Sequence, residues 1–346
     1  MSTKYIVVKD EKMEGCYGVG KIVMSNKECI AFVSETEGNG KIVAVDPATL
    51  EEKIISDKPG GGMNIVPLPN KSNDFLVIQG FYPVFKSEKA YVAWGHYTTA
   101  GIYDIREVQP FPFVHRIDVV SYHGNDYLIA ANLCETKNFT DDWEHPGSVC
   151  VGKIDYKTRT IQDFHPIRSR IIKNHGFTKL GSHGEDGVII SGDCGVIKLS
   201  PPSGVHQAWS EETLIPTPAS DAVVSDIDSD GMYELGVISP FHGGEFHIYK
   251  LKDNEWRSVY KLEGTHEFGH AIWGGEFNGK QAFIVGFRAA EMELYIIMKN
   301  GDSYEAELIG KNGGPANVTV IRGKEEDYIC AANLEANKYT IYKQNI

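Results

Sequence analysis

The feature that most constrains this chain is a short strand-like pattern that occurs seven times. Each copy begins with a small or polar residue and continues as an apolar run, as in "HRIDVVSY", "HGFTKLGS" and "HAIWGGEF". Successive copies are separated by 46, 51, 60, 46, 49 and 47 residues. The aligned first residues are Gly18, Asn64, His115, His175, Asp221, His270 and Asn317. Repeats of this length, each with several short strands, are typical of β-propeller blades.

Each repeat continues with a second apolar strand, such as "DYLIAANL", and many add a third alternating strand, such as "FHIYKL". The chain has 36 glycines in 346 residues, which suits tight turns between short strands. We therefore predict an all-β fold, a single seven-bladed β-propeller over residues 1–346. The C-terminal "KYTIYKQ" would be the third strand of the last blade. The N-terminal "KYIVVKD" would supply its fourth strand and leave no open edge.

The innermost strands of a propeller surround a central channel, so the seven aligned positions are predicted to form a ring at one mouth. Four consecutive blades place His115, His175, Asp221 and His270 on this ring. Imidazole and carboxylate groups that converge on an axis are ligands for a divalent transition metal such as zinc, manganese, iron or nickel. We predict such a metal in the channel. The alternative is that these polar residues line a hydrated channel.

The loops between second and third strands are expected on the same face as this ring, and they carry further reactive groups. The candidates for proton transfer and substrate binding are His242, Tyr82, Arg288, Glu335 and His266. The long insertion at 132–147 in the third repeat is predicted to be either a lid over the mouth or a contact in a homodimer.

A second candidate site lies in the segment "SDIDSDGMYELG". Alternating carboxylates followed by glycine resemble an oxygen-rich calcium loop. The predicted ligands of a structural calcium ion are Asp226, Asp228, Asp230 and Glu234. Because this turn joins a first strand to a second strand, we expect it on the face away from the histidines. The alternative is an acidic turn without a metal.

Composition excludes several classes of partner. The chain has 34 Lys and Arg against 47 Asp and Glu, a net charge of −13, which opposes binding to nucleic acid or to an anionic membrane. No basic-then-apolar signal pattern and no run of transmembrane length is present, so we predict a cytoplasmic protein. Six cysteines without a CxxC pair then indicate reduced thiols.

The segment "DIDSDGMYELGVISPFHGGEFHIY" resembles the FG-GAP or VCBS-like repeats of β-propellers. The set "HRIDVV", "NHGF", "ISPFHG", "GHAIWGG" and "AANLEAN" is similar to the propeller domain of the fungal aldos-2-ulose dehydratases and their bacterial relatives. This resemblance covers roughly residues 60 to 343. It implies a lyase that eliminates water or an alkoxide β to a carbonyl on a keto-sugar or a related glycoside. It also implies a metal on His115, His175 and His270.

Two other functions fit the same residues. One is a metal-dependent hydrolase or isomerase of a sugar or lactone, in which the metal activates water. The other is a propeller without catalytic activity that binds a glycan or a protein. The predicted ring of histidines and aspartate favours an enzyme, and the resemblance implies a small carbohydrate substrate.

Overall fold

The protein is described here by a computed structural model, which covers residues 4–69, 73–181, 187–204 and 207–345. Over these residues the regular structure is almost entirely β-strand, and a short 3-10 helix spans Val84–Lys89. Seven four-stranded antiparallel sheets form a seven-bladed β-propeller, which confirms the predicted fold class.

The first strands of the seven blades begin within two residues of the predicted repeat starts. In chain order the strands are β1 Tyr5–Lys12, β2 Cys16–Met24, β3 Lys27–Ser34, β4 Ile42–Val45, β5 Glu52–Ser56, β6 Ile65–Pro67, β7 Phe75–Gln79, β8 Tyr91–Tyr97, β9 Tyr103–Pro110, β10 Val114–Tyr122, β11 Asn125–Asn132, β12 Gly147–Asp155, β13 Thr160–Ile171, β14 Gly176–Lys179, β15 Val188–Gly192, β16 Gly195–Ser200, β17 Ser210–Ile215, β18 Asp221–Ser225, β19 Glu234–Ser239, β20 Glu245–Lys252, β21 Glu255–Lys261, β22 Gly269–Phe277, β23 Lys280–Phe287, β24 Leu294–Asn300, β25 Ser303–Gly310, β26 Pro315–Arg322, β27 Asp327–Asn333 and β28 Lys338–Gln344.

The ring closes by joining the two ends of the chain in one blade. Six blades contain four consecutive strands, from β2–β5 to β22–β25. The last blade has the order β26, β27, β28, β1, and β1 pairs antiparallel with β28 from Tyr5 opposite Gln344 to Lys12 opposite Lys338. The predicted closure by the N-terminal strand is therefore confirmed.

Neighbouring first strands approach so closely around the axis that glycine is required at some positions. A Cβ atom added to Gly20 of β2 would lie 2.3 Å from the carbonyl oxygen of Ile65 in the next blade. A Cβ atom on Gly274 of β22 would lie 2.3 Å from the carbonyl oxygen of Val224. Only a residue without a side chain lets the two backbones pack at this distance.

The hydrophobic core lies between adjacent blades rather than at the axis. Phe246 and Ile248 of one blade, for example, pack against Phe283 and Val285 of the next. The second strands β7 and β15 are buried along their whole length. Burial of this apolar surface is the main stabilising contribution, and it leaves the channel free for polar side chains.

Within the described residues, no helix is long and apolar enough to cross a membrane.

Candidate metal centre

In four blades, a bulge at the start of the first strand turns one side chain toward the channel axis. The pairing register shifts around His115 in β10 and around His270 in β22, so each histidine is an extra residue in its strand. His175 is placed similarly. Its backbone N–H donates to the carbonyl oxygen of Ser191, and Ser191 is also the partner of Gly176, so two consecutive residues face one residue of β15. A β-bulge re-aims a side chain in this way. The resulting outer layer contains Tyr17, Met63, His115, His175, Ser220, His270 and Ala316.

The structure corrects the single ring predicted from the repeat alignment. Gly18, Asn64, Asp221 and Asn317 follow the outer-layer residues by one position and lie in a deeper layer of the channel. Arg116 joins this layer, with one terminal nitrogen 3.7 Å from a carboxylate oxygen of Asp221. The other terminal nitrogen of Arg116 donates to Oδ1 of Asn317 at 3.1 Å. Repeat spacing alone does not separate the two layers, because the bulge adds only one residue.

Three imidazoles converge in the outer layer. Nε2 of His175 lies 3.3 Å from Nε2 of His270 and 3.5 Å from Nε2 of His242. One ring nitrogen from each of the three histidines lies within 4.8 Å of the other two. In a tetrahedral site with metal–nitrogen bonds of about 2.0–2.1 Å, ligand nitrogens are separated by about 3.3–3.4 Å. The two measured distances agree with this spacing.

The hydrogen bonds of His175 and His270 determine which ring nitrogen carries the proton. Nδ1 of His270 lies 2.6 Å from the carbonyl oxygen of Ala316, and Nδ1 of His175 lies 3.2 Å from that of Ser220. A carbonyl oxygen only accepts, so both Nδ1 atoms are protonated and both Nε2 atoms present lone pairs. Two lone pairs therefore face each other at 3.3 Å without a proton between them. A cation bound to both would remove this repulsion, as in metal sites whose histidines are oriented by backbone carbonyls.

Burial holds the cluster in the uncharged form that binds metals. It lowers the pKa of His175 and of His270 well below the usual value, with additional lowering from neighbouring histidines and cationic side chains. Burial also lowers the pKa of His242 to about 3, assisted by the charges of Arg288, Lys137 and Lys173. Neutral imidazole is the ligand form, so no deprotonation is required at neutral pH.

His115 lies beside the cluster and is connected to it by Tyr17. The Tyr17 hydroxyl is 3.0 Å from Nε2 of His115 and 3.2 Å from Nε2 of His270. The rings of His115 and His175 have centroids 4.7 Å apart. Burial raises the pKa of Tyr17 well above its usual value, so this phenol stays protonated. His115 is therefore adjacent to the three-histidine cluster and hydrogen-bonded to it through one hydroxyl.

Asp221, predicted as a fourth ligand, faces a different part of the channel. Its carboxylate lies 4.0 Å from Nδ1 of His175, the nitrogen that points away from the cluster. Burial raises the pKa of Asp221 to about 7, although the Arg116 guanidinium lowers it. Its position in the deeper layer places Asp221 behind the imidazole of His175.

His242 reaches the cluster from a loop rather than from a first strand. It follows β19 in a tight turn in which the Gly243 N–H donates to the Pro240 carbonyl oxygen at 2.8 Å. His242 has φ of 50°, a left-handed conformation that is uncommon for a residue with a side chain. Its ring stacks on Phe241 at a centroid distance of 3.9 Å and lies 4.4 Å from Phe268. These two rings fix the direction in which the imidazole points.

The cluster forms one wall of a cavity of about 390 Å³ at the channel mouth. This volume is in the range of small-molecule sites. The other lining residues come from the outer layer and from loops after second strands, and they include Glu35, Phe81, Lys137, Asp141, Trp143 and Arg288. The loops between second and third strands therefore share a face with the histidines, as predicted.

Glu35 lines this cavity with a carboxyl of raised pKa. Burial raises the pKa of its carboxyl to about 7, the charge of Arg288 lowers it, and the charge of Glu335 raises it further. Arg288 in turn donates from Nε and a terminal nitrogen to Glu335, at 2.9 and 2.6 Å. A carboxyl that titrates near neutrality suits proton transfer under physiological conditions.

The predicted catalytic residues are divided between the cavity and its surroundings. His242 and Arg288 line the cavity, and Glu335 contacts it through Arg288. His266 packs against Phe287 at a centroid distance of 4.4 Å, and its Nε2 is 2.9 Å from a backbone carbonyl oxygen. Tyr82 is 43% exposed. Neither His266 nor Tyr82 lines the cavity.

Tyr17, Glu35, Lys137, Phe241 and Phe268 line the cavity but were not predicted as site residues. Tyr17 is the bulge residue of the first blade, next to the aligned Gly18, so a shift of one residue in the alignment would have found it. Lys137 lies in the long insertion and Phe241 lies in the "SPFHGG" loop. Both loops join a second strand to a third strand and were predicted on this face. Glu35 carries no sequence signal, because its pKa depends on burial.

In the acidic loop, a lysine lies where the carboxylates converge. Nζ of Lys250 is 2.6 Å from Asp228, 2.7 Å from Asp230 and 2.7 Å from Glu234. Both carboxylate oxygens of Asp226 accept backbone N–H groups of the loop itself, at 3.0 Å. Oxygens of Asp226, Asp228 and Glu234 lie close enough together to hold an ion, so the calcium site stays a prediction.

Comparisons with known proteins identify relatives in fold, and they show no family for this chain. No protein-family model matches the chain, and no curated protein sequence matches it. One solved structure with this fold is "a putative 6-phosphogluconolactonase from Bacteroides uniformis ATCC 8492", with 13% identity over 90% of this chain and 89% of that chain and a TM-score of 0.58. A chain of the mitotic checkpoint complex has 8% sequence identity, covers 98% of this chain over 92% of its own length, and has a TM-score of 0.63. These identities show a shared fold alone.

The two-layer geometry predicts that His242 and Asp221 contribute differently to metal binding. His242→Ala removes one of three converging nitrogens and should weaken zinc binding by at least about 100-fold, since a change beyond the ligands themselves already weakens binding by about 10–100-fold. Asp221→Asn should change the affinity by less than about tenfold, because Nδ1 of His175 donates to the Ser220 carbonyl oxygen and lies 4.0 Å from Asp221, beyond hydrogen-bond distance. Competition titration with a chromophoric chelator measures both, with His123→Ala as a control. The reverse order of the two effects would make Asp221 the ligand.

The acidic loop predicts that Lys250 acts as its resident cation. Lys250→Met removes the cation paired with the buried carboxylate of Glu234, while Asp228 keeps Lys299 at 3.3 Å. The free energy of unfolding should therefore fall by about 3 kcal/mol. Added calcium should restore part of this loss in the variant and leave the wild type unchanged. Thermal unfolding with and without calcium measures both effects. Stabilisation of the wild type by micromolar calcium would show instead that the ion displaces the lysine.

Proposed function

We propose that this protein is a metal-dependent enzyme that acts on a small carbohydrate by eliminating water or an alkoxide β to a carbonyl. The observation that carries the proposal is the unprotonated pair of Nε2 atoms on His175 and His270, 3.3 Å apart, with His242 beside them. A divalent transition metal fits this donor set, because its nitrogens are neutral, buried and spaced as tetrahedral ligands. Held there, it supplies Lewis acidity toward a substrate oxygen.

The residues of the cavity supply the proton transfer that an elimination requires. Glu35, with a pKa of about 7, is the base for a proton α to the substrate carbonyl. In its protonated form the same carboxyl returns a proton to the leaving oxygen, so acid and base roles are combined in one group. The positive charge of Arg288 keeps the pKa of Glu35 from rising further, and Arg288 is itself paired with Glu335. His242, which the sequence suggested as the base, takes the role of a ligand in this proposal.

The aromatic walls suit a sugar ring. Phe81, Trp143, Phe241 and Phe268 line the cavity around the histidines. Aromatic faces pack against the apolar faces of sugars, while polar groups at the edges orient the hydroxyls. The resemblance of the loop and strand motifs to the aldos-2-ulose dehydratases supports the same substrate class and the same reaction type.

A second candidate is metal-assisted hydrolysis of a sugar lactone. One structural neighbour is named as a putative 6-phosphogluconolactonase, and it covers 90% of this chain. The same histidine cluster and Glu35 would serve to activate water for attack on a lactone carbonyl. The two reactions differ in their products, since elimination gives an unsaturated ketone and hydrolysis gives an open-chain acid.

The test of the proposed function uses the purified protein reconstituted separately with zinc, manganese, iron(II) and nickel. Each form is incubated with a panel of keto-sugars, keto-glycosides and sugar lactones. Elimination predicts ultraviolet absorbance of a conjugated ketone together with loss of water or alcohol by mass spectrometry. Addition of water to a lactone would support the second candidate instead. No turnover by any metal-loaded form would favour the third function, a propeller that binds a glycan or a protein without catalysis.

The raised pKa of Glu35 predicts the pH dependence of the reaction. A base must be ionised, so kcat/KM should increase with pH up to an apparent pKa near 7 and then level off. Glu35→Gln should lower kcat by about 10²- to 10⁴-fold and remove this limb, with the metal content unchanged. Glu37→Gln, an exposed position on the same loop, is the matched control. An unchanged profile in Glu35→Gln would exclude Glu35 as the base.

A further inference from the structure

The cavity contains a buried cation that the proposed elimination does not use. Lys137 lies in the long insertion after β11, is 6% exposed and lines the cavity beside the histidine cluster. Its Nζ donates to the carbonyl oxygen of Thr140 at 2.7 Å and lies 3.3 Å from the centroid of the Trp143 ring. One carbonyl oxygen and one aromatic face leave an ammonium group with hydrogen-bonding capacity to spare.

The three cations around the cavity mouth differ in their partners. Arg288 lies over Phe268 and is paired with Glu335, at 2.6 Å. Lys173 lies over Phe241 and is 3.3 Å from Asp193. For Lys137, no carboxylate among the described residues lies within 4.0 Å of the nitrogen. The charges of Asp141 and Asp142 act on this ammonium group only from beyond that distance. A ligand that brings a negative charge into contact with Lys137 would therefore form the ion pair that the loop does not supply.

The loop holds Lys137 in a fixed position. Asp142, which is buried, accepts hydrogen bonds from the backbone and side-chain nitrogens of Asn138 and from the backbone N–H of Glu144. Cys134 and Pro146 form a bridge between the two ends of the loop. A cation on a rigid support loses little conformational freedom when an anion binds.

Aromatic contacts connect this cation to the metal centre. Trp143, under Lys137, packs edge-on against Phe241 at a centroid distance of 5.3 Å, and Phe241 stacks on His242. Lys137 and the histidines therefore lie on the same cavity, separated by these rings. A ligand that spans this distance presents one end to the ammonium and the other to the cluster.

We propose that Lys137 recognises an anionic group of the carbohydrate substrate, a carboxylate or a phosphate, while the sugar carbonyl faces the histidine cluster. This inference rests on the proposed function for the position of the carbonyl and deepens it by assigning the substrate to the anionic sugars. Although the whole chain carries a charge of −13, its cavity presents a buried ammonium group that has no ion-pair partner within 4.0 Å among the described residues.

The experiment is isothermal titration calorimetry of the full chain with three probes: D-glucuronate, D-glucose 6-phosphate and D-glucose. At least one anionic sugar should bind the wild type at least about tenfold more tightly than glucose, because a hydrogen bond to a charged group contributes about this factor or more. The anionic probe that shows the preference identifies carboxylate or phosphate as the recognised group. Lys137→Met should abolish the preference, and Lys137→Arg should retain most of it.

Lys173→Met is the matched control, since it removes a cation from the same mouth that already has a carboxylate partner. It should leave the preference unchanged. The proposal is overturned if the three probes bind the wild type within threefold of one another, if none binds, or if Lys137→Met keeps the preference. Binding is measured without turnover, so anion preference without elimination would refute the proposed function alone. Elimination from neutral sugars without anion preference would refute this inference alone.

Discussion

The candidate site depends on a geometric constraint, the convergence of seven innermost strands on one axis. In four of these strands a bulge near the start turns one residue inward. Residues far apart in sequence, such as His115, His175 and His270, are thereby brought within contact of one another. The rigid sheets behind them provide the positioning, so neither a metal nor a substrate has to order the site when it binds. Closure of the last blade by β1 completes this arrangement.

Burial of the imidazoles has an electrostatic consequence, because it lowers their pKa values. The low pKa values of His175, His242 and His270 keep all three rings neutral. Backbone carbonyls then assign the protons of two rings to Nδ1 and leave lone pairs directed at a common point. The same burial acts oppositely on Glu35, whose pKa rises to about 7. Burial therefore lowers the pKa of the three imidazoles and raises that of the Glu35 carboxyl in the same cavity.

Repeat spacing predicted the number of blades, the closure by the N-terminal strand and the shared face of the histidines. It could not predict the bulge, because a single extra residue per blade is within the variation of the repeat length. Asp221 was therefore aligned with His175, although it lies one layer deeper. Glu35 and Lys137 could not be recognised either, since the significance of Glu35 comes from burial and that of Lys137 from burial without a direct ion pair among the described residues.

X-ray absorption spectroscopy at the edge of the metal bound to the purified protein shows directly whether the histidine cluster is a metal site. We expect about one metal per chain, bound by at least three imidazole nitrogens at about 2.0–2.1 Å, with the multiple-scattering pattern of histidine rings. A shell made only of oxygen ligands, or a metal content that does not saturate on reconstitution, would contradict this expectation. The histidines would then be the polar lining of a hydrated channel, and the elimination chemistry proposed for this cavity would lose its basis.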